Sequence, residues 1–324
     1  MTNRINYTAS VVAASAMLAT GCSTPSSASP AGTGATTTAP ATPGPTAAPG
    51  AASPVPVSTA THTVTVAGVG AVDVTVSERG SGATFLLLHG GAGPISVAHF
   101  ADLFSAANHA RVLTPTHPGF GGTPRPDALH SIAELAAVYV ALLDQLDLHD
   151  VTVVGNSIGG WIATEIALRH SPRVGRVVLV DATGIVVDGH PVADPFSMSL
   201  AELMTRSYYN PDAFRIDPSK LPEAARTAMA ANRAALAVYG GNPSVGDPSL
   251  RGRLAQVNVP TLVLWGEADR IGDPEYGRAY AAAIPQARFQ LLAKTGHVPQ
   301  IESPEQVRLA IWDFAGAPVM AHAK

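Results

Sequence analysis

Residues Gly155-Asn156-Ser157-Ile158-Gly159 stand between an apolar run, Val151-Thr152-Val153-Val154, and a helix-like stretch, Trp161-Ile162-Ala163-Thr164-Glu165-Ile166-Ala167-Leu168. A strand that turns into a helix over a single serine leaves a chain few options. The serine is held in strained backbone geometry with its hydroxyl pushed out above the sheet. The residues two before and two after it must lack bulk, because a Cβ there would strike the adjoining strand or helix. The helix that follows aims its free N–H groups and positive dipole end at the same point. The motif therefore implies a sheet packed by helices, with a reactive serine at one strand end.

Two other strand-like runs end in comparable turns. Phe85-Leu86-Leu87-Leu88 leads into His89-Gly90-Gly91-Ala92-Gly93, a glycine-rich turn whose backbone N–H groups are free to approach a substrate oxygen. Thr261-Leu262-Val263-Leu264-Trp265 ends in Gly266-Glu267-Ala268-Asp269, and about thirty residues later comes Gly296-His297-Val298-Pro299. The chain order Ser157, Asp269, His297 is one of the known orders of a serine, acid and histidine constellation.

With His117-Pro118-Gly119-Phe120-Gly121-Gly122 and Gln300-Ile301-Glu302 added, these motifs resemble the α/β-hydrolase family over roughly residues 62–316. The resemblance implies an α/β fold with an eight-stranded, mostly parallel sheet, helices on both faces and an inserted helical lid. The core would be 62–187 and 257–318, with the lid at 188–256. The residue pattern agrees. Val64 and Val66, then Val72, Val74 and Val76, alternate at period two as in an edge hairpin. Apolar runs near Phe85–Leu88, Arg111–Thr114, Val151–Val154, Val177–Val180, Thr261–Trp265 and Arg288–Leu292 suit strands covered on both faces. Ser131 with Glu134 forms a capping box, and Asp273-Pro274 and Ser303-Pro304 are helix starts. Between Val180 and Thr261 no strand is evident, only helical pieces at Phe196–Tyr209, Pro222–Tyr239 and Pro248–Val257.

Ser157 is expected to be the nucleophile. A free hydroxyl is a poor one and needs a base, for which His297 is the candidate. Asp269 would hold the imidazole in the correct tautomer, with Asp181, at the end of the run Val177–Val180, as its competitor. The N–H groups of Ile158 and Gly91 are the expected oxyanion donors. His89 is expected to brace that turn. Carboxylic ester hydrolysis through an acyl-enzyme ranks first. The Asn156-Ser157-Ile158-Gly159-Gly160 turn also resembles carbon–carbon bond hydrolases of the meta-cleavage-product type. These rank second because Val298 stands where that branch usually has tryptophan. A catalytically silent binding module on the same fold is the alternative from another class. Lid residues Phe196, Met198, Leu203, Met204, Tyr208, Tyr209, Phe214, Met229 and Tyr239 could line an acyl pocket, although most apolar residues pack among themselves. The lid arginines Arg206, Arg215, Arg226 and Arg233 could bind a carboxylate if any points inward.

The front of the chain reads differently. Arg4, an apolar stretch from Ala9 to Leu18, and Ala19-Thr20-Gly21-Cys22 resemble a bacterial lipoprotein signal over residues 1–22, with Cys22 as the lipid-modified residue. Residues 23–61 are almost wholly Ser, Thr, Ala, Gly and Pro, with no Asp, Glu, Lys or Arg between Arg4 and Asp73. Such a segment has nothing to bury and reads as a disordered linker, spanning about 35 Å as a coil. The expected setting is the outer face of a bacterial cell membrane, with a secreted protein as the alternative. Cys22 is the sole cysteine, so no intramolecular disulfide is available. Three lysines and a net charge of −4 argue against a nucleic-acid partner. No metal-ligand spacing, P-loop or dinucleotide fingerprint is evident, so the expected chemistry needs no metal or cofactor.

Overall fold

The computed structural model describes residues 56–241 and 246–316. The signal and most of the linker, 1–55, lie outside the described residues.

The strands are β1 (Val57–Val66), β2 (Gly70–Gly80), β3 (Ala83–Leu88), β4 (Ala110–Pro115), β5 (Val151–Asn156), β6 (Val174–Val180), β7 (Thr261–Gly266) and β8 (Arg288–Leu292). They form one eight-stranded sheet in the order β1-β2-β4-β3-β5-β6-β7-β8. The β1/β2 and β2/β4 pairs are antiparallel and the other pairs parallel. Successive strand residues point to opposite faces, and each face has its own core. Leu86, Leu88, Val153, Val177, Leu179, Val263 and Trp265 pack on one side, with α2 (Ile132–Gln145), α3 (Ile158–Ala167) and α7 (Pro274–Ala283). Phe85, Leu87, Val154, Val178, Val180, Leu262 and Leu264 face the other, covered by α1 (Ile95–Ala107) and α9 (Pro304–Gly316). The doubly covered parallel sheet expected from the apolar runs is present.

Local signals explain the helix starts. Ser131 and Glu134 make the reciprocal capping box ahead of α2, and the Asp273 side chain accepts from the Tyr276 N–H at the head of α7. Helix α1 starts at Pro94 without any side-chain cap, so no cap residue announces it. The lid contains α4 (Leu200–Ser207), α5 (Glu223–Gly240) and the single turn α6 (Leu250–Arg253). The one-turn α8 (Pro299–Glu302) precedes α9.

One boundary differs from the sequence reading. Strand β1 begins at Val57, inside the segment expected to be linker through residue 61. Its exposed face makes a ladder with β2, Thr59 to Ser77, Thr61 to Thr75 and Thr63 to Asp73, at 3.0, 3.0 and 2.6 Å. Pairing with a partner strand has overridden a composition that looks like linker.

Candidate active site

The carboxyl ends of β3, β5, β6, β7 and β8 converge. β5 delivers Ser157 in a conformation with φ 56° and ψ −120°, where a non-glycine residue is strained. A Cβ on Gly155 would strike the carbonyl of Gly159, and one on Gly159 would strike that of Leu88. Those two contacts are why the turn is written Gly-x-Ser-x-Gly. The loop after β8 brings His297, and the loop after β7 brings Asp269.

His297 Nε2 lies 2.9 Å from Ser157 Oγ, and Nδ1 lies 2.8 Å from Asp269 Oδ2. Asp269 Oδ1 accepts the N–H groups of Ile271 and Gly272 at 2.7 and 3.3 Å. A carboxylate so supplied with donors is an acceptor, which places the imidazole proton on Nδ1 and leaves the Nε2 lone pair facing the hydroxyl. Asp269 and His297 are 2% and 7% exposed, whereas Ser157 is half-buried. The serine is thus the part of the chain that a substrate can reach.

Asp181, the competing acid, follows β6 directly and is fully buried. Asp269 is the carboxylate that accepts the His297 Nδ1–H; Asp181 Oδ1 instead accepts the Gly266 N–H at 2.8 Å. Burial, reinforced by the adjacent Asp269 charge, pushes its carboxyl well above the usual carboxylate range.

The turn Gly90–Gly93 sits beside the serine, as Gly90 lies against Asn156 and the Ser157 Cβ. The N–H groups of Gly91 and Ile158, the expected oxyanion donors, have no partner among the described residues. His89 holds this turn from behind. Its Nδ1 contacts the Gly90 carbonyl at 2.8 Å, and its Nε2 accepts the His117 N–H at 3.1 Å. His117 stacks on it with ring centroids 3.7 Å apart and donates from Nε2 to the His89 carbonyl, while Tyr139 donates its hydroxyl to His117 Nδ1. Both rings are fully buried, and burial drives the His89 pKa down to about 4 and that of His117 well below its ordinary value. They are neutral braces.

Three residues have holding roles that the sequence did not assign to them. Asn156 donates to the carbonyls of Val180 and His297 at 3.2 and 3.0 Å, tying the serine turn to the histidine loop. The Glu302 carboxylate accepts the N–H groups of Tyr209, Asn210 and Gly296. Asn232, on α5, donates to the Ala92 carbonyl at 2.9 Å and accepts the Gly121 N–H at 2.7 Å, pinning the lid over the glycine-rich turn. Asn156 and Glu302 stand within motifs quoted above, but Asn232 has no local sequence signature.

Most lid residues considered for an acyl pocket serve the lid itself. Tyr208 and Phe214 stack, Phe196 lies under Arg233, and the Tyr239 hydroxyl donates to the Pro118 carbonyl. Tyr209 and Met229 face solvent. Leu236 of α5 packs directly against Gly91. Arg206, Arg215, Arg226 and Arg233 are all exposed, so none points inward. Two clefts, of about 520 Å³ between β8 and α9 and about 490 Å³ beside Gly121 and α5, contain none of the residues of the serine site.

The profile of the alpha/beta hydrolase family matches residues 85–310, and the chain belongs to that family. It is 30% identical over 263 residues to a 2-hydroxy-6-oxononadienedioate/2-hydroxy-6-oxononatrienedioate hydrolase of Cupriavidus pinatubonensis, covering 74% of this chain and 89% of that one. A 2-hydroxymuconate semialdehyde hydrolase of Pseudomonas putida is 28% identical, covering 76% and 92%. Among solved structures, a thermophilic esterase from Thermogutta terrifontis superposes with a TM-score of 0.64 at 23% identity, over 79% of this chain and 97% of that one, a likeness of fold.

Proposed function

We propose that this chain is a serine hydrolase that cleaves a carbon–carbon bond next to a carbonyl, in a vinylogous diketo acid of the kind made by ring cleavage. The observation that carries the hydrolase assignment is the continuous chain from Ser157 Oγ through His297 to Asp269. The choice of bond is supported by the relatives, which are a 2-hydroxy-6-oxononadienedioate/2-hydroxy-6-oxononatrienedioate hydrolase and a 2-hydroxymuconate semialdehyde hydrolase. It reverses the order expected from the sequence, which put esters first.

In this reading His297 takes the Ser157 proton as Oγ attacks the substrate carbonyl, and Asp269 stabilises the resulting imidazolium. The oxyanion accepts the N–H groups of Gly91 and Ile158. Loss of one such donor typically costs about 3 kcal/mol of transition-state stabilisation. The carbon–carbon bond breaks with its electron pair passing into the conjugated system, where His297 returns the proton. Water then hydrolyses the acyl-serine by the same route.

One observation favours ester hydrolysis as the second reading. Arg206, Arg215, Arg226 and Arg233 are exposed, and Arg253 is already paired with Glu165 and Asp247, so none of these five offers a free buried cation for a substrate carboxylate. Parallel assays of p-nitrophenyl esters of graded length and a vinylogous diketo acid separate the two. Faster turnover of the diketo acid is the expected result, and turnover of esters alone would establish the second reading. Labelling of Ser157 by a fluorophosphonate probe is expected under either, and its failure would favour a binding module. For the N-terminal segment we propose lipid attachment at Cys22 and a place on the outer face of a bacterial cell membrane, on the strength of the sequence pattern alone.

A further inference from the structure

We propose that Asp181 is a positioning residue that keeps its proton at neutral pH and donates it in an O–H···O hydrogen bond to the Asp269 carboxylate. The proposal rests on the assignment of Ser157, His297 and Asp269 as the reacting chain.

The polar atoms of Asp181, Asp269 and His297 lie within 4.8 Å of one another, and all three residues are buried. Asp181 Oδ1 is satisfied by the Gly266 N–H, but Oδ2 is buried and no group among the described residues donates to it. Asp269 already receives two backbone N–H groups and the His297 Nδ1–H. Neither carboxyl has an arginine or lysine partner among the described ion pairs. The titratable groups facing Asp181 are Asp269, on the loop after β7, and His297, on the loop after β8. From β5 the nearby polar side chain is the neutral Asn156, whose amide reaches the Val180 carbonyl.

Two buried carboxyls in contact cannot both ionise without a cation between them. The proton belongs on the one with fewer donors, which is Asp181. Once protonated, Oδ2 changes from an orphaned acceptor into a donor directed at Asp269, and the orphan is resolved. The burial-driven rise of the Asp181 pKa agrees with this. The bond orients Asp269 toward Nδ1 and shares part of its negative charge, which limits how strongly that charge holds the imidazolium.

The test uses the rate of fluorophosphonate labelling as a function of pH, which does not depend on the natural substrate. Asp181→Asn retains both functions of the acid, with an amide carbonyl for Gly266 and an N–H for Asp269. It is expected to label within about twofold of wild type with the same acid limb. Asp181→Ala is expected to label about tenfold more slowly, with the acid limb moved to higher pH because the Asp269 charge is no longer shared. Infrared spectra at about pH 8 should show a carboxylic-acid carbonyl band in wild type that disappears in Asp181→Asn. An Asp181→Asn rate as low as that of Asp269→Asn, an unmoved acid limb in Asp181→Ala, or no acid band would each overturn the proposal. A missing band would also be the result if a metal ion joined the carboxyls. Should Asp181→Ala not fold, the Asp181→Asn rate and the band still decide. Wild type that does not label would refute the reacting chain, while the band would still report on Asp181.

Discussion

At the scale of single residues, the site separates groups that react from groups that hold. Ser157→Ala should fold normally and lose at least about 10⁴-fold in kcat, read in steady-state assays of either substrate class. Asp269→Asn should leave the fold intact yet favour the wrong histidine tautomer, costing up to about 10⁴-fold. The buried braces give a pH prediction. In the unfolded chain His89 titrates near its ordinary 6.5, and in the folded chain near 4. Below 6.5 the unfolded state therefore binds a proton that the folded state refuses, and stability is lost as pH falls toward 4. His117 acts in the same direction. The melting temperature should fall over that interval, and His89→Gln should flatten the slope. Asp181 has the opposite sign. Its carboxyl stays protonated above the range where the unfolded chain ionises, so it lowers stability as pH rises past 3.8. Asp181→Asn should melt higher than wild type near neutral pH, with the gap closing in acid.

At the scale of elements, the reacting residues stood out in the sequence because each is announced locally. An apolar strand runs into a glycine turn, and the glycines are forced by backbone contacts such as Gly159 against Leu88. Of the holding residues, His89 was announced by the turn it opens, but Asn232 was not. Asn232 acts on a carbonyl 140 positions away and on an N–H 111 positions away, and no periodicity records a contact of that kind. The same holds for the Asp181 contact with the loop after β7. Strand β1 was partly missed for a related reason, since Val57-Ser58-Thr59-Ala60-Thr61 has linker composition and becomes a strand only through β2. Asn232→Ala tests the long-range kind. It would strip the partners from the Ala92 carbonyl and the Gly121 N–H and should cost about 2 kcal/mol in denaturant unfolding. Because α5 presses Leu236 on Gly91, fluorophosphonate labelling should slow as well.

At the scale of the whole molecule, intact-mass analysis of the mature protein should find diacylglyceryl, with N-acylation, on Cys22, since two or more chains give stable attachment where one gives marginal binding. An unmodified terminus elsewhere would exclude it. The described fold begins at Val57, which pairs with Arg79, while the neighbouring Gly80 pairs with Arg111 near the amino end of β4. The polypeptide thus enters the sheet at the edge opposite β8 and at the amino ends of its parallel strands. Ser157, Asp181, Asp269 and His297 all follow carboxyl ends. The chain ahead of Val57 therefore joins the described fold on the side away from the serine, and shortening it removes no group that the reaction uses. Removing residues 1–55 should then leave KM for a dissolved substrate unchanged.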